Sequence, residues 1–278
     1  MKRKSDVTLT HRVQKFALNT LGRDFVVGDI HGAFGSVLER MQDVDFDTQR
    51  DRLFVAGDLV DRGPESKRVM KFLSQPFVHS VLGNHDDAFL QFSIEELRAL
   101  GQINWNGLAW VNDCDDDEIV KIKKLFSKLP VVIEVTTERG SVGIVHADVP
   151  KGMNWAIFTE LVNQSDKDTI DTALWGRDRL KNNDHTGVTG IDRLFVGHSI
   201  QWDGPKRLGN VYHVDGGAIF REIDGDRGFL TMANLICSSS VIAPQQPRST
   251  AQGAGLYPHA VSGPFGQYVK PEFLNNIS

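Results

Sequence analysis

The chain contains little cysteine and only a small imbalance of charge. Of its 278 residues two are cysteines, Cys114 and Cys237, which are far apart and form no CxxC pair. This spacing excludes a disulfide framework and a zinc site built on thiolates, and it favours a reducing compartment. The formal net charge is −5, so the chain lacks the basic excess of proteins that hold nucleic-acid phosphates. We therefore expect no nucleic-acid partner.

Signals of several other protein classes are also missing. No apolar run approaches the roughly 18–20 residues of a membrane span. No apolar h-region follows the basic start MKRKSDVTLTHRVQKF, as a secretory signal would require. No Gly-rich phosphate loop with a Walker lysine occurs, which disfavours a nucleoside triphosphatase. Cys114 lies in an acidic stretch that should raise its pKa, so we expect no nucleophilic cysteine. We predict a cytoplasmic protein with no membrane partner.

Short apolar runs recur along the chain, and each ends in glycine and polar residues. They are DFVVGD (24–29), RLFVAGD (52–58), FVHSVLGN (77–84), VGIVHAD (142–148), RLFVGHS (193–199) and VYHVDGG (211–217). Continuous apolar runs of this length predict strands buried on both faces. Helical patterns separate the first three runs, and strand, helix and strand at this length predict βαβ units with parallel pairing.

Three helices are predicted from apolar spacing. The first covers GSVLERMQ (35–42). The second covers PESKRVMKFL (64–73), with Pro64 at its first position and Val69, Met70, Phe72 and Leu73 buried. The third covers DDDEIVKIKKLFSKLP (115–130), where acids gather in the first turn and Ile119, Ile122 and Leu125 line one face.

The composition changes towards the end of the chain. After about residue 238 it is rich in Ser, Pro, Gln and Gly and has no periodicity, which predicts a flexible tail. We therefore predict an N-terminal extension over residues 1–20, one folded domain over 21–237 and a tail over 238–278.

Polar side chains stand where the predicted strands end. They are Asp29 and His31 in GDIHG, Asp58 in GDLVDRG, Asn84 and His85 in GNHD, and His146 and His198 after later strands. In open α/β sheets ligands bind beyond the carboxyl ends of the strands. Three oxygen donors and three imidazoles exceed one tetrahedral site and suit two cations that share a bridging carboxylate. Alternation along Asp29-Ile30-His31 is expected to turn both polar side chains one way while Ile30 packs inward.

Each of these motifs has a structural alternative when it is taken alone. GDIHG could be a polar turn, and a strand-end histidine is more often hydrogen-bonded than bound to a metal. Asp58 and Asp61 could be turn formers. Chance would have to place all three motifs of the first hundred residues at βαβ intervals, so the ordered set favours a shared site.

The ordered motifs resemble those of the phosphoprotein phosphatase family of metallophosphoesterases, and more closely its bacterial and phage-type serine/threonine protein phosphatases. The closer similarity rests on HADVP (146–150), LWGRDRL (174–180), TGIDRLFVGHS (189–199) and VDGGAIF (214–220). The resemblance implies an α/β fold of the calcineurin-like type, with a central β-sandwich flanked by helices and the catalytic site in the domain over 21–237. It also implies that a metal-activated hydroxide hydrolyses phosphomonoesters at a dinuclear site. That site is commonly loaded with manganese, and iron or zinc are alternatives.

The resemblance further implies a metal-binding role for six residues. The first cation would be held by Asp29, His31 and Asp58. Asp58 would bridge to the second cation, which Asn84, His146 and His198 would complete. All six positions carry the residue types of the family, which argues against an inactive relative.

The remaining site residues act on the phosphate and the leaving group in the family pattern. Arg62 and Arg177 would hold the non-bridging phosphate oxygens, because a guanidinium matches the geometry of a dianion; the alternative for both is a solvated surface position. His85 would donate a proton to the departing oxygen, and Asp61 would orient and charge it. Asp86 is expected to support the site structurally.

One departure from the family pattern leaves the substrate open. Leu82 stands where protein phosphatases of this family usually have arginine, and VLGNHD resembles the symmetrical diadenosine tetraphosphate hydrolases. VDRGP keeps an aspartate that those hydrolases commonly lack, so we favour a phosphoprotein or phosphopeptide substrate. A binding or scaffolding protein with vestigial chemistry is a third hypothesis, which rests on the tail. Trp105 and Trp110 could roof a substrate groove, although core or rim packing is the simpler interpretation.

Overall fold

The computed structural model describes residues 12–225 and 227–236, and two β-sheets form its frame. The strands are β1 (Val13–Phe16), β2 (Asp24–Val27), β3 (Arg52–Val55), β4 (Val78–Ser80), β5 (Val132–Thr137), β6 (Gly140–Val145), β7 (Arg193–Val196), β8 (Lys206–Leu208), β9 (Val211–His213) and β10 (Met232–Asn234). All six predicted strands are present. The tail predicted over 238–278 lies outside the described residues.

The smaller sheet has four strands in the order β10-β2-β3-β4 and contains the first three predicted strands. β2, β3 and β4 pair in parallel, as the βαβ spacing predicts, and β10 pairs antiparallel with β2. Parallel pairing places the carboxyl ends of these three strands at one edge of the sheet, so the loops that follow them lie side by side.

The larger sheet has six strands in the order β1-β5-β6-β7-β9-β8. β6, β7 and β9 are parallel neighbours, whereas β5 and β8 run antiparallel to their neighbours β6 and β9. β1 pairs in parallel with β5, so the sheet begins inside the segment predicted as an N-terminal extension.

The two sheets face each other, and inner strands such as β2 and β9 are buried on both faces. Phe16 of β1 and Phe54 of β3 meet edge to face across the sheets, with ring centroids 5.1 Å apart. Phe54 belongs to a buried cluster between the sheets, while its neighbour Val55 belongs to the cluster that the helices cover. Each fully buried side chain of this size contributes about 1.5–3 kcal/mol. The predicted β-sandwich flanked by helices is confirmed.

The helices cover the outer faces of the sheets. They are α1 (Phe34–Asp43), α2 (Val69–Leu73), α3 (Asn84–Gln91), α4 (Ile94–Gln102), α5 (Asp116–Phe126), α6 (Trp155–Asn163), α7 (Lys167–Trp175), α8 (Asp178–Lys181) and α9 (Ala218–Asp224). Two 3₁₀ segments, Ser66–Arg68 and Trp105–Asp113, precede α2 and α5. Among the described residues, no helix has both the length and the apolar character needed to cross a bilayer.

Two details of the predicted helices are wrong. Pro64 does not open a helix, because the chain turns until the carbonyl of Gly63 accepts from the Ser66 amide and hydroxyl. The 3₁₀ segment starts only at Ser66. In α5, Leu125 is half-buried and Phe126 fills the core-facing position with Ile119 and Ile122, since Phe126 continues the helical stripe one residue later.

Candidate active site

The predicted site residues converge at the carboxyl ends of the strands. Asp29 and His31 follow β2, Asp58 follows β3, Asn84 and His85 open α3 after β4, and His146 and His198 follow β6 and β7. All seven side chains are buried. Residues from five loops therefore meet in one place, as the positions of the strand ends predict.

Turn conformations, rather than strand alternation, direct these side chains. β2 ends at Val27, and His31 has a φ of 47°, so the predicted alternation along Asp29-Ile30-His31 is wrong in its mechanism although Ile30 is fully buried. Asp58, Asp61 and His198 also have positive φ values of 50°, 72° and 66°. A residue with a side chain pays about 1–3 kcal/mol for such a conformation. The surrounding fold holds this strain at the site.

Asp58 lies at the centre of the cluster. Its Oδ1 accepts a hydrogen bond from the His85 backbone amide at 2.9 Å, and its Oδ2 lies 3.4 Å from Nε2 of His31. Burial raises the pKa of Asp58, but the surrounding imidazoles, which are protonated at the low pH where Asp58 titrates, outweigh burial and hold the pKa well below its usual range. The close approach requires glycine at position 83, because a Cβ there would lie 2.1 Å from the Asp58 amide nitrogen.

Backbone carbonyls set the orientation of two imidazoles. Nδ1 of His31 lies 2.8 Å from the Val60 carbonyl, and Nδ1 of His146 lies 2.7 Å from the Ala56 carbonyl. A carbonyl oxygen only accepts, so each Nδ1 carries the proton and each Nε2 presents a lone pair to the site. Burial lowers the pKa of both imidazoles, which keeps them neutral.

His198 and Asn84 complete the side of the site next to His146. Nε2 of His198 is buried and has no hydrogen-bond partner among the described residues, and burial lowers the pKa of His198 to about 3. Oδ1 of Asn84 lies 2.8 Å from Nε2 of His146. Two lone-pair atoms thus face each other there, and a third points into the site without a partner.

Two clusters of possible metal ligands occur among the described residues, and within each cluster all ligand atoms lie within 4.8 Å of one another. One contains His31, Asp58 and His85, and the other contains Asp58, His146 and His198. Asp58 belongs to both, so the site has groups that could hold two metal ions with one carboxylate in common.

Asp29 belongs to neither cluster. Both of its carboxylate oxygens accept from the His198 backbone amide, at 3.0 and 3.1 Å, and Oδ1 lies 4.0 Å from Nδ1 of His146. Its pKa is raised well above the usual range by burial and then by the charges of Asp215 and Asp58. Three buried carboxylates in one site repel one another unless cations lie between them.

His85 differs from the other imidazoles of the site. Its Nδ1 lies 2.7 Å from Oδ2 of Asp61, and its Nε2 lies 3.0 Å from Nη2 of Arg62. Burial lowers the pKa of His85, but the carboxylates of Asp58 and Asp61 outweigh burial and raise it. One histidine is therefore biased towards the charged form beside three that are held neutral.

The two arginines stand at the open side of the site, and both are exposed. Arg62 also reaches His31, with Nη1 2.7 Å from Nε2, so its guanidinium spans His31 and His85. Nη1 of Arg177 donates to Oγ of Ser199 at 2.8 Å. A cleft of about 430 Å³ adjoins Arg177 and is lined in part by Trp175 and Lys151.

Sequence reasoning did not assign two residues that touch this site. The indole Nε1 of Trp110 donates to Oδ1 of Asp61 at 2.8 Å, so Trp110 is a buried residue with a polar contact and not the roof of a groove. Asp215 follows β9, and burial raises its pKa to about 6. Asp215 could have been found, since it is one more polar residue at a strand end, whereas no local pattern marks Trp110.

Other expectations concern single residues near the site. Asp86 is buried, and its carboxylate accepts from the amides of Leu59 and Gly83, each at 3.0 Å, so it ties the loop after β3 to the start of α3. Leu82 is fully buried in the core and its side chain faces no solvent. Cys114 is buried, and burial is the main cause that raises its pKa to about 11.

Comparison with known proteins identifies the family of this chain. The sequence profile of the calcineurin-like phosphoesterases matches residues 25–217, which contain every site residue named above. The chain belongs to the calcineurin-like phosphoesterase family. It is a metallophosphoesterase and hence an enzyme that hydrolyses phosphoric monoesters, as the resemblance implies.

Several relatives of this metallophosphoesterase are similar over most of their length. Serine/threonine-protein phosphatase 1 of Salmonella typhimurium is 31% identical over 219 residues, which is 76% of this chain and 91% of that protein. Serine/threonine-protein phosphatase 2 of Escherichia coli is 30% identical over 74% of this chain and 93% of that protein. A symmetrical bis(5'-nucleosyl)-tetraphosphatase of Yersinia enterocolitica is 45% identical, but over only 64 residues and 22% of each chain.

Solved structures support the fold. A protein serine/threonine phosphatase of Saccharomyces cerevisiae aligns with a TM-score of 0.51 at 17% identity, over 81% of this metallophosphoesterase and 76% of that chain. A proposed diadenosine tetraphosphatase aligns with a TM-score of 0.56 at 23% identity, over 81% and 94%. At these identities the likeness concerns the fold alone.

Proposed function

We propose that this chain is a metal-dependent serine/threonine protein phosphatase whose substrates are phosphoproteins or phosphopeptides. The observation that carries the proposal is the Asp58–His146–His198 cluster with a hydrogen-bonded His85–Asp61 pair beside it in one site. The first group suits cations, and the second suits protonation of a poor leaving group. Bacterial relatives named as serine/threonine-protein phosphatases match this chain over about three quarters of its length, which supports the substrate class.

The chemistry of the donor atoms fits divalent cations. Three neutral imidazoles, an amide oxygen and buried carboxylates surround Asp58, and the unpartnered Nε2 of His198 points into this group. The facing lone pairs of Asn84 Oδ1 and His146 Nε2 are unfavourable without a positive charge between them. Histidines that bind metals usually donate their other ring N–H to a carbonyl or a carboxylate, and His31 and His146 have such carbonyl contacts.

We propose that two divalent cations occupy the site and that manganese is the native metal. Asp29, His31 and Asp58 would hold one cation, and Asp58, Asn84, His146 and His198 the other. Bound cations would polarise the phosphoryl oxygens. They would also lower the pKa of a bound water molecule to near neutral, which supplies hydroxide. The lone pair of His31 Nε2 that would bind a cation now accepts from Arg62, so the guanidinium has to leave that position and is then free to contact the phosphate.

His85 acts on the leaving group. A serine or threonine alkoxide is a poor leaving group, so delivery of a proton to its oxygen accelerates the reaction, typically by 10²–10⁴-fold. Asp61 holds Nδ1 of His85, which leaves Nε2 to face the substrate once Arg62 turns to the phosphate. Arg62 and the exposed Arg177 bind the non-bridging phosphate oxygens, where a planar guanidinium donates in pairs.

The nucleotide alternative has little support beyond a short match. The motivating residue, Leu82, is fully buried, so its side chain does not contact a substrate. The named tetraphosphatase relative matches 22% of this chain, whereas the protein phosphatases match 74–76%. The cleft beside Arg177 also offers space for residues that flank a phosphorylated side chain.

Two broader proposals accompany this function. The two cysteines, neither in a paired motif, favour the cytoplasm. We also propose that residues 21–237 carry the catalysis and that the tail over 238–278 is dispensable for it. If the chain were instead a scaffold with vestigial chemistry, the isolated protein would show no turnover and removal of the tail would abolish its function.

The test compares three substrates with the manganese-loaded protein. Phosphate release from a phosphoserine peptide and from p-nitrophenyl phosphate is measured beside nucleotide products from diadenosine tetraphosphate. We expect peptide turnover, and we expect His85→Asn to reduce it by about 10²-fold or more because the leaving group loses its acid. His185→Asn is the matched control, since His185 is exposed and belongs to neither metal cluster. Preferential cleavage of the dinucleotide, or no peptide turnover by metal-loaded protein, would refute the proposal.

A further inference from the structure

Asp61 uses its two carboxylate oxygens for different partners. Oδ2 faces Nδ1 of His85 at 2.7 Å, and Oδ1 accepts from the indole of Trp110 at 2.8 Å. Indole nitrogen only donates, so this contact commits Oδ1 to the acceptor role. A carboxylate held at both oxygens cannot rotate about its terminal bond without breaking one hydrogen bond. Trp110 therefore restricts the orientation of the group that orients His85.

The indole is itself held in place by the core. Trp110 is 5% exposed, and its ring stacks on Phe89 with centroids 5.4 Å apart and planes 15° from parallel. Phe89 in turn meets Phe126 of α5 edge to face at 5.7 Å. Three aromatic rings from different elements thus fix the direction of the indole N–H, at a position where side-chain packing leaves little freedom.

The same 3₁₀ segment supports the backbone beside Asp61. The carbonyl of Gly107 accepts from the Arg62 amide at 3.0 Å. Asp61 and Arg62 are consecutive residues with φ values of 72° and 67°, a conformation that side chains disfavour and that needs support from neighbours. Gly107 can approach so closely only because it lacks a Cβ, which would lie 2.2 Å from the Arg62 nitrogen.

We propose that Trp110 is a positioning residue for the leaving-group acid: its indole N–H anchors Asp61, and Asp61 aims His85 at the departing oxygen. The inference rests on the proposed role of His85 as the acid. A purely structural role for Trp110, as one more core aromatic, predicts a general loss of stability and activity. A positioning role predicts a loss of activity that is larger for substrates whose leaving group must be protonated.

The variant Trp110→Phe tests this distinction, because it keeps an aromatic ring against Phe89 and removes the N–H. Trp105→Phe is the matched control, since Trp105 lies in the same 3₁₀ segment and packs on Phe92 away from Asp61. For Trp110→Phe we expect kcat on a phosphoserine peptide to fall about tenfold, a part of what general acid catalysis supplies. With p-nitrophenyl phosphate, whose leaving group needs little protonation, the loss should stay below about twofold. Equal losses on both substrates would overturn the inference.

A double-variant comparison checks that the effect passes through Asp61. In an Asp61→Ala background, adding Trp110→Phe should change peptide turnover no further, because the side chain that the indole anchors is already gone. If the full tenfold loss persists in that background, Trp110 acts by another route and the inference fails.

A spectroscopic measurement separates this inference from the proposed function. The chain has five tryptophans, so the indole N–H signal of Trp110 has to be assigned among five. It is the signal that is missing from the ¹H–¹⁵N spectrum of Trp110→Phe. In wild-type protein this signal should lie downfield, as for a donor to a carboxylate, and it should move upfield in Asp61→Ala, which has no acceptor for the indole. An unmoved signal overturns the anchoring whatever the substrate proves to be. If phosphopeptides are not hydrolysed while the signal moves as expected, the substrate proposal fails and the anchoring of Asp61 stands.

Discussion

Removing Asp148 or Arg179 alone should destabilise the protein far more than neutralising both together. Oδ1 of Asp148 accepts from Nε of Arg179 at 2.9 Å, and the two side chains are only 6% and 2% exposed. The pair joins two motifs, because Asp148 lies two residues after His146 and Arg179 two residues after Arg177. It therefore holds the loop that carries His146 against the segment that carries Arg177, the arginine proposed to bind phosphate.

The magnitude follows from the burial of the charges. Breaking a buried ion pair by removing one partner leaves an uncompensated charge and costs about 3–5 kcal/mol. For a chain of this size that lowers Tm by roughly 10 °C. Oδ1 of Asp148 accepts from the Val149 amide at 2.8 Å, and Asp148→Asn keeps an oxygen for that contact, so the double variant with Arg179→Met leaves no buried charge at this position. Its free energy of unfolding should lie within about 1 kcal/mol of wild type.

The two single variants should differ in their pH dependence. Burial already raises the pKa of Asp148 against the opposing effect of Arg179. In Arg179→Met the pKa rises further, so the folded state binds a proton more tightly than the unfolded state. The unfolding free energy of that variant should recover as the pH falls through the raised pKa, and the full penalty should appear above it. Asp148→Asn should show no such recovery, because arginine stays charged at every accessible pH.

Urea unfolding followed by tryptophan fluorescence, with chelator present, measures these free energies without a contribution from bound metal. Wild type in the same buffer corrects for the pH dependence of the rest of the protein. If the double variant loses as much as the two single variants added together, the pair is not coupled and the reasoning is refuted.

Two further predictions concern the site and the free thiol. His198→Ala should reduce bound manganese by about one equivalent per chain in elemental analysis. The reason is that one cluster loses a neutral imidazole whose Nε2 has no other partner in the described structure. An unchanged metal content would contradict the proposed ligand set. Native Cys114 should react with a thiol reagent at pH 8 far more slowly than the same residue in urea, since burial raises its pKa to about 11, and equal rates would show that the thiol is accessible.

Local patterns along the chain account for the parallel strands and for the position of the site. Apolar runs ending in GDIHG, GDLVDRG and GNHD mark β2, β3 and β4, because a strand buried on both faces has to be continuously apolar and parallel strands end at one edge. Short or less regular elements were not predicted. β1 (VQKF), β8 (KRL) and β10 (MAN) lack the continuous apolar run that marks the predicted strands, and a neighbouring strand supplies their hydrogen bonds.

The substrate hypothesis illustrates what a local comparison of motifs leaves out. Leu82 suggested a nucleotide substrate because of its place beside GNHD, yet its side chain is fully buried in the core. Whether a residue next to a motif faces the substrate or the core depends on how β4 and α3 pack, and no spacing along the chain reports that packing.

The amino-acid sequence by itself determined which side chains come to the site, since strand ends and short motifs are local properties of the chain. Only the tertiary structure decided what each of them does there. His31, His85, His146 and His198 are the same side chain, but burial keeps His31, His146 and His198 neutral while Asp58 and Asp61 bias His85 towards its charged form. Those environments arise between residues far apart in sequence, such as Asp29 and His198 at a separation of 169 positions, so they exist only in the folded chain.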